Sequence, residues 1–129
     1  MTDASDLPEC DAGSHAPRDP FVLPQDEAVV RAAMMLRAAG DGARLRLLLR
    51  LSTGERCVTE LAEEEGEKIA TVSARLKQLF AAKLVTRRRE AKHVHYALAD
   101  DHVVRLLQDI LEHAAEDLPT TMKTEGEHA

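Results

Sequence analysis

Residues 68–98 read KIATVSARLKQLFAAKLVTRRREAKHVHYAL, and two different periodicities meet inside this stretch. In the first half Val72, Leu76, Leu79 and Phe80 recur at three- and four-residue spacing, which predicts a helix from about Ile69 to Lys83 with those side chains buried. In the second half Val85, Arg87 and Arg89 alternate with Thr86 and Arg88, and Val94, Tyr96 and Leu98 alternate with His93 and His95. Alternation at period two marks a half-buried strand, and Glu90-Ala91-Lys92 between the runs supplies a polar turn. The stretch is a helix followed by a β-hairpin with a charged tip.

Charge gives this pair of elements a function. The whole chain carries −6, which argues against nucleic acid until its distribution is considered. Between Lys68 and His95 stand eight basic residues and one acid, Glu90, so the segment carries +7 and the remainder −13. A local basic stripe is what phosphate contact requires, whatever the overall charge. The face of the helix opposite its apolar stripe holds Lys68, Thr71, Ser73, Arg75 and Lys77, small, polar and basic residues suited to the major groove of double-stranded DNA. Arg87, Arg88, Arg89 and Lys92 are the corresponding contacts on the hairpin.

Upstream, Val58, Leu61 and Ala62 predict a helix of about two turns ending near Gly66. A short helix, a basic helix and a basic hairpin, in that order, describe a winged helix-turn-helix, mainly α with a two-stranded β-wing. Two further helices precede it. One carries Val29, Val30, Ala33, Met34 and Leu36 and closes at Gly40; the next starts behind Asp41 as N-cap and buries Leu45, Leu48 and Leu49. Residues 1–24, with four prolines and no periodicity, are expected to be a flexible arm, residues 25–117 the folded domain, and residues 118–129 a disordered tail. The 44% hydrophobic content comes largely from Ala, Leu and Val, and aromatics are 2%, which favours aliphatic helix packing over a β-sandwich. A domain of this size extends its core by dimerising. No apolar run approaches the ~20 residues of a membrane span, and the acidic N-terminus lacks the layout of a secretion signal, so a cytoplasmic protein is expected. Two cysteines, Cys10 and Cys57, are too few for a disulfide scaffold.

Downstream, DDHVVRLLQDILEHAAED predicts a final helix from about Asp100 to Glu116, with an apolar stripe of Val103, Leu106, Leu107, Ile110 and Leu111. Asp100 and His102 lie at its start; His113 and Glu116 share a face near its end. Imidazole and carboxylate donors are what a tetrahedral Zn(II) site without thiolates uses. The two pairs cannot meet within one helix: eleven residues span roughly 16 Å, against metal–ligand bonds of about 2 Å. Antiparallel packing of two copies brings the start of one helix beside the end of the other, twice in a symmetric dimer. Read alone, Asp100 is equally a helix N-cap.

From about Asp26 to Glu116, roughly two thirds of the chain, the sequence resembles the ArsR/SmtB family of metal-sensing repressors. The stretches that carry the resemblance are GDGARLRLLLRL (40–51), ERCVTELAEE (55–64), TVSARLKQLFAAKLVTRRREAKHVHYAL (71–98) and the array D-x-H-x10-H-x2-E formed by Asp100, His102, His113 and Glu116. The resemblance implies a homodimer that binds a palindromic operator when metal-free and leaves it when Zn(II) binds the last helix. It also implies a second metal site, with thiolates from the arm and the third helix. Cys57-Val58-Thr59-Glu60 stands where that family carries C-V-C-D or C-V-G-D, with Glu60 in place of the usual Asp, and Cys10 and His15 are the arm's candidates. Thiolates favour Cd(II) or Pb(II).

Several other readings stay open on the residues alone. Extra ligands from arm or tail, His128 among them, would suit Ni(II) or octahedral Co(II), and Cys10 with Cys57 could instead form a redox-sensing disulfide. His93 and His95 are expected to face solvent or phosphate, and the acidic run of ELAEEEGE a solvated face. No HExxH array, phosphate loop or nucleophile constellation supports an enzyme.

Overall fold

Asp41 begins the first segment that packs. Its carboxylate accepts the Arg44 N–H at 3.0 Å and so starts a helix at the following residue, as the sequence predicts. The computed structural model describes residues 25–116 together with Gly13 and Leu118. Its elements run α1 (Asp26–Ala39), α2 (Gly42–Leu51), β1 (Arg56–Cys57), α3 (Val58–Glu65), α4 (Ile69–Ala81), β2 (Val85–Glu90), β3 (His93–Leu98) and α5 (Asp101–Ala115). Apart from Gly13 and Leu118, the proposed arm and tail, and with them Cys10, His15 and His128, lie outside the described residues. Among those described, no helix is long and apolar enough to cross a membrane.

The core forms where α2, α3 and α4 meet the sheet. Leu47, Leu48, Leu61, Val72, Leu76 and Leu79 are almost wholly buried, closed off by Leu84, Val85, Tyr96 and Leu107. Gly66, at φ 66°, ends α3 in the left-handed conformation and turns the chain into α4. In α2 the buried row is Leu47, Leu48 and Leu51, while the expected Leu45 and Leu49 are half-buried at its edge.

Two departures from the sequence reading, and one exposed surface, matter later. The wing has three strands, in the order β1-β3-β2, because Arg56 pairs with Tyr96 and Cys57 with His95 antiparallel to the hairpin. Phe80 is not in the core; it is 36% exposed, and the Arg87 guanidinium lies over its ring at 4.0 Å. The apolar faces of α1 and α5 are largely uncovered. Helix α1 has no buried residue, with Val30 58% exposed, and of the α5 stripe only Leu107 is buried, with Ile110 50% exposed. A stripe with a hydrophobic pattern but no cover marks a surface built for another chain.

Candidate nucleic-acid interface and metal-ligand pairs

The basic residues singled out from the sequence fall on two elements that face each other. Lys68 is the N-cap residue of α4, and Thr71, Ser73, Arg75 and Lys77 follow along that helix. Strands β2 and β3 pair from Val85 opposite Leu98 to Glu90 opposite His93, leaving Ala91-Lys92 as a two-residue tip. Arg87 sits opposite Tyr96 and Arg89 opposite Val94, so the two arginines share a sheet face with those apolar residues. Between α4 and the wing lies a cleft of about 530 Å3, lined by Ser73, Lys77 and Arg87–Arg89 above a floor of Val58, Val94 and Tyr96.

Not all of this positive charge is free. Arg75 pairs with Glu67 at 3.7 Å, and Arg88 is held between Glu55 and Glu90. Lys68, Lys77, Arg89 and Lys92 make no ion pair among the described residues. The acidic end of α3 is largely exposed, as expected of a solvated face, but two of its carboxylates are tied to arginines. Glu65 pairs with Arg50 and with Arg46 (3.6 Å), and Glu64 with Arg56 (3.2 Å) and Arg50 (3.8 Å). These arginines come from α2 and β1, at separations from which a sequence gives no pairing signal. The negative run is thereby tied back into its own domain.

The two histidine–carboxylate pairs of α5 are already assembled in a single chain. His102 Nδ1 stands 3.6 Å from Asp100 Oδ1, and His113 Nδ1 stands 3.6 Å from Glu116 Oε2. Both imidazoles are open to solvent, at 84% and 85% exposure. Asp100 is also the N-cap residue: its Oδ1, the oxygen that stands near His102, accepts the Val103 N–H at 3.1 Å. Eleven residues is close to three full helical turns, so the two imidazoles leave α5 from the same side. Leu106 and Ile110 lie between them along the helix, on a neighbouring and exposed strip. Among the described residues no three His, Cys, Asp or Glu side chains come together as a metal site. Each end of α5 therefore presents one imidazole and one carboxylate, and among the described residues no third donor joins either pair.

Cys57 is buried and caps α3, and Glu60 turns back to accept the Cys57 N–H at 3.0 Å. That hydrogen bond, chief among several causes, holds the Glu60 carboxyl below the usual carboxylate range. His95 is the cross-strand neighbour of Cys57, and its ring lies 6.2 Å from that of His93. Cys10 and His15, the other candidates for a second site, lie outside the described residues.

Comparison with known proteins fits this arrangement. Residues 41–87, the segment from α2 to the start of β2, match the family described as bacterial regulatory protein, arsR family. A transcriptional repressor SmtB homolog of Synechocystis is 36% identical over 97 residues, which is 75% of this chain and 73% of the relative. The transcriptional regulator KmtR of Mycobacterium tuberculosis is 33% identical over 115 residues, 87% of this chain and 88% of that one. A homodimeric winged helix-turn-helix DNA-binding domain of Mycobacterium bovis, a possible ArsR-family regulator, superposes with a TM-score of 0.70 at 30% identity, covering 79% of this chain and 94% of its own. A basic helix facing a basic wing, on a chain this close to repressors along most of their length, is a regulator and not an enzyme: the chain belongs to the ArsR/SmtB family of metal-sensing transcriptional repressors.

Proposed function

We propose that the protein is a zinc-responsive repressor of the cytoplasm, which binds a palindromic operator as a metal-free homodimer and releases it when Zn(II) occupies two sites shared between subunits. The observation that carries this reading is the placement of two half-sites at opposite ends of α5, with exposed Leu106 and Ile110 between them. Two α5 helices packed antiparallel cover those apolar side chains and bring Asp100 and His102 of one subunit to His113 and Glu116 of the partner subunit. Bound there, Zn(II) supplies a tetrahedral crosslink between the subunits.

The residues of the chain do the rest. Lys68, Thr71, Ser73, Arg75 and Lys77 on α4 face the major groove, and Arg87, Arg89 and Lys92 hold the backbone beside it. Fixing the two α5 helices changes the spacing of the two α4 helices, and DNA affinity falls because both no longer fit adjacent half-sites. An effector shifts such an equilibrium only by its differential affinity for the two arrangements, so the zinc sites must be better formed in the DNA-free dimer.

The test pairs operator binding with metal titration. His113→Ala is expected to bind operator as the wild type does and to lose zinc-induced release. An unchanged zinc response in that variant rejects the α5 site. Titrating Cd(II), Ni(II) and Co(II) alongside Zn(II) separates the rival metals. A tetrahedral nitrogen/oxygen Co(II) spectrum supports the α5 ligands, an octahedral spectrum points to a nickel or cobalt sensor, and thiolate charge-transfer bands point to Cys57 with Cys10 and a cadmium or lead sensor. Retention of the full response by Cys57→Ser removes both the thiolate metal site and a redox disulfide.

A further inference from the structure

Three consecutive arginines in the wing, Arg87, Arg88 and Arg89, do not have equivalent surroundings. Although all three contribute to the lining of the cleft opposite Ser73 and Lys77, strand alternation turns Arg87 and Arg89 to one face of the wing and Arg88 to the other. There all three guanidinium nitrogens of Arg88 are engaged. Its Nε–H donates to Glu55 Oε2 at 2.9 Å, its Nη2 to Glu55 Oε1 at 2.7 Å, and its Nη1 to Glu90 Oε2 at 2.6 Å. Two parallel bonds from one guanidinium to one carboxylate fix orientation as well as distance, which a lysine at this position would not do. Glu55 and Glu90 are both held below the usual carboxylate range by these bonds, and Arg88 is held above its ordinary value.

The position of Glu55 gives this pair its meaning. It lies in the turn between α2 and β1, thirty-three residues before Arg88, and belongs to the body of the domain. The base of the hairpin is fixed in that body by Val85 and Tyr96 in the core and by the two-residue strand β1, whereas residues 86–93, the outer part that carries the arginines, are exposed. An isolated hairpin is mobile at its tip, and phosphate contacts from Arg87, Arg89 and Lys92 would each have to order it.

We propose that Arg88 is a positioning residue and not a phosphate ligand: gripped by Glu55, it fixes the wing over the cleft so that Arg87 and Arg89 meet the DNA backbone already oriented. This rests on the DNA-binding reading above and divides the basic segment into contacts and a strut. It carries an unusual consequence, because it makes a carboxylate bound to the basic wing favourable for binding a polyanion.

The experiment is fluorescence anisotropy of a labelled mixed-sequence duplex of about 30 base pairs, roughly three helical turns, titrated with the full-length protein at several salt concentrations. Glu55→Gln removes a negative charge, yet is expected to weaken binding about fivefold. Arg88→Ala is expected to weaken it with the salt slope unchanged, whereas Arg87→Ala lowers the slope by about one, the signature of a lost phosphate contact. The exchange Glu55→Arg with Arg88→Glu keeps one cation between two carboxylates and is expected to recover affinity to within about twofold of wild type. Thermal unfolding followed by circular dichroism confirms that each variant is folded; if Arg88→Glu alone is not, Glu55→Gln and the double exchange decide. The proposal is overturned if Glu55→Gln tightens binding, if Arg88→Ala lowers the slope by about one, or if the exchange binds as weakly as Arg88→Glu. A wild type without salt-dependent binding overturns the DNA-binding reading itself, and the inference with it.

Discussion

Lys83 and Ala91 are the two non-glycine residues, among those described, with φ in the left-handed region, at 63° and 55°. Lys83 closes α4: its N–H donates to Phe80 O at 2.9 Å and that of Leu84 to Leu79 O at 3.1 Å, a reversal that delivers the chain into β2. A residue with a Cβ is strained there, so Lys83→Gly is expected to raise stability by about 0.5–1 kcal/mol after allowing for glycine's larger unfolded-state entropy. A urea midpoint that falls contradicts this. Lysine has no preference for such a turn, so the strain cannot be read from the sequence, whereas Asp41 is legible because its bond is local and its residue type specialised. Asp100 has two jobs that substitution separates. Asp100→Asn caps α5 as well as aspartate and is expected to weaken zinc binding with stability kept, while Asp100→Ala loses both, at about 1 kcal/mol of stability. Equal unfolding midpoints for Asn and Ala would remove the cap from the account.

At the level of elements, the helices that pack internally were legible because their apolar spacing is their burial. Leu76 in α4 is fully buried, and Leu76→Ala is expected to cost about 2–5 kcal/mol, a large share of a small domain's stability, measured by denaturant unfolding. Strand β1 was invisible beforehand, since two residues cannot display an alternation. The ties of Glu64 and Glu65 to Arg50, and of Glu55 to Arg88, were hidden for a different reason: they join separate elements, and charge alone does not name its partner. The tie of Glu55 to Arg88 carries a pH dependence. Glu55, Glu60 and Glu90 are all depressed in the folded state, so their contribution is complete above the ordinary carboxylate value of about 4.3 and is lost as pH falls through the lower folded values. The difference in unfolding midpoint between wild type and Glu55→Gln is therefore expected at neutral pH and should vanish in acid; a difference that persists there contradicts the assignment.

For the whole molecule, α1 forms where its periodicity places it, closing at Gly40, and what the pattern leaves open is its cover. Its periodicity does predict a buried face, but not which chain buries it, and within one protomer Val29, Val30, Met34 and Leu36 stay exposed. The same applies to Leu106, Ile110 and Leu111 on α5. The two histidine–carboxylate pairs of α5 were legible residue by residue, and their separation followed from helix length. With a second copy as the cover, Ile110→Glu places a charge in the interface and is expected to give a monomer by sedimentation equilibrium, with DNA affinity reduced at least about tenfold. A dimer of undiminished affinity in that variant contradicts the use of this face.

If, as proposed, each shared site draws one half from the start of α5 and the other from the end of a second α5, damage to the two halves is genetically separable. On that arrangement a subunit lacking Asp100 and His102 and a subunit lacking His113 and Glu116 would each be inert to metal as homodimers. In a mixed dimer both lesions fall on one site, and the other receives two sound halves. Two defective alleles expressed in one cell would then restore half of the sensor, a complementation pattern that sites contained within one subunit cannot produce.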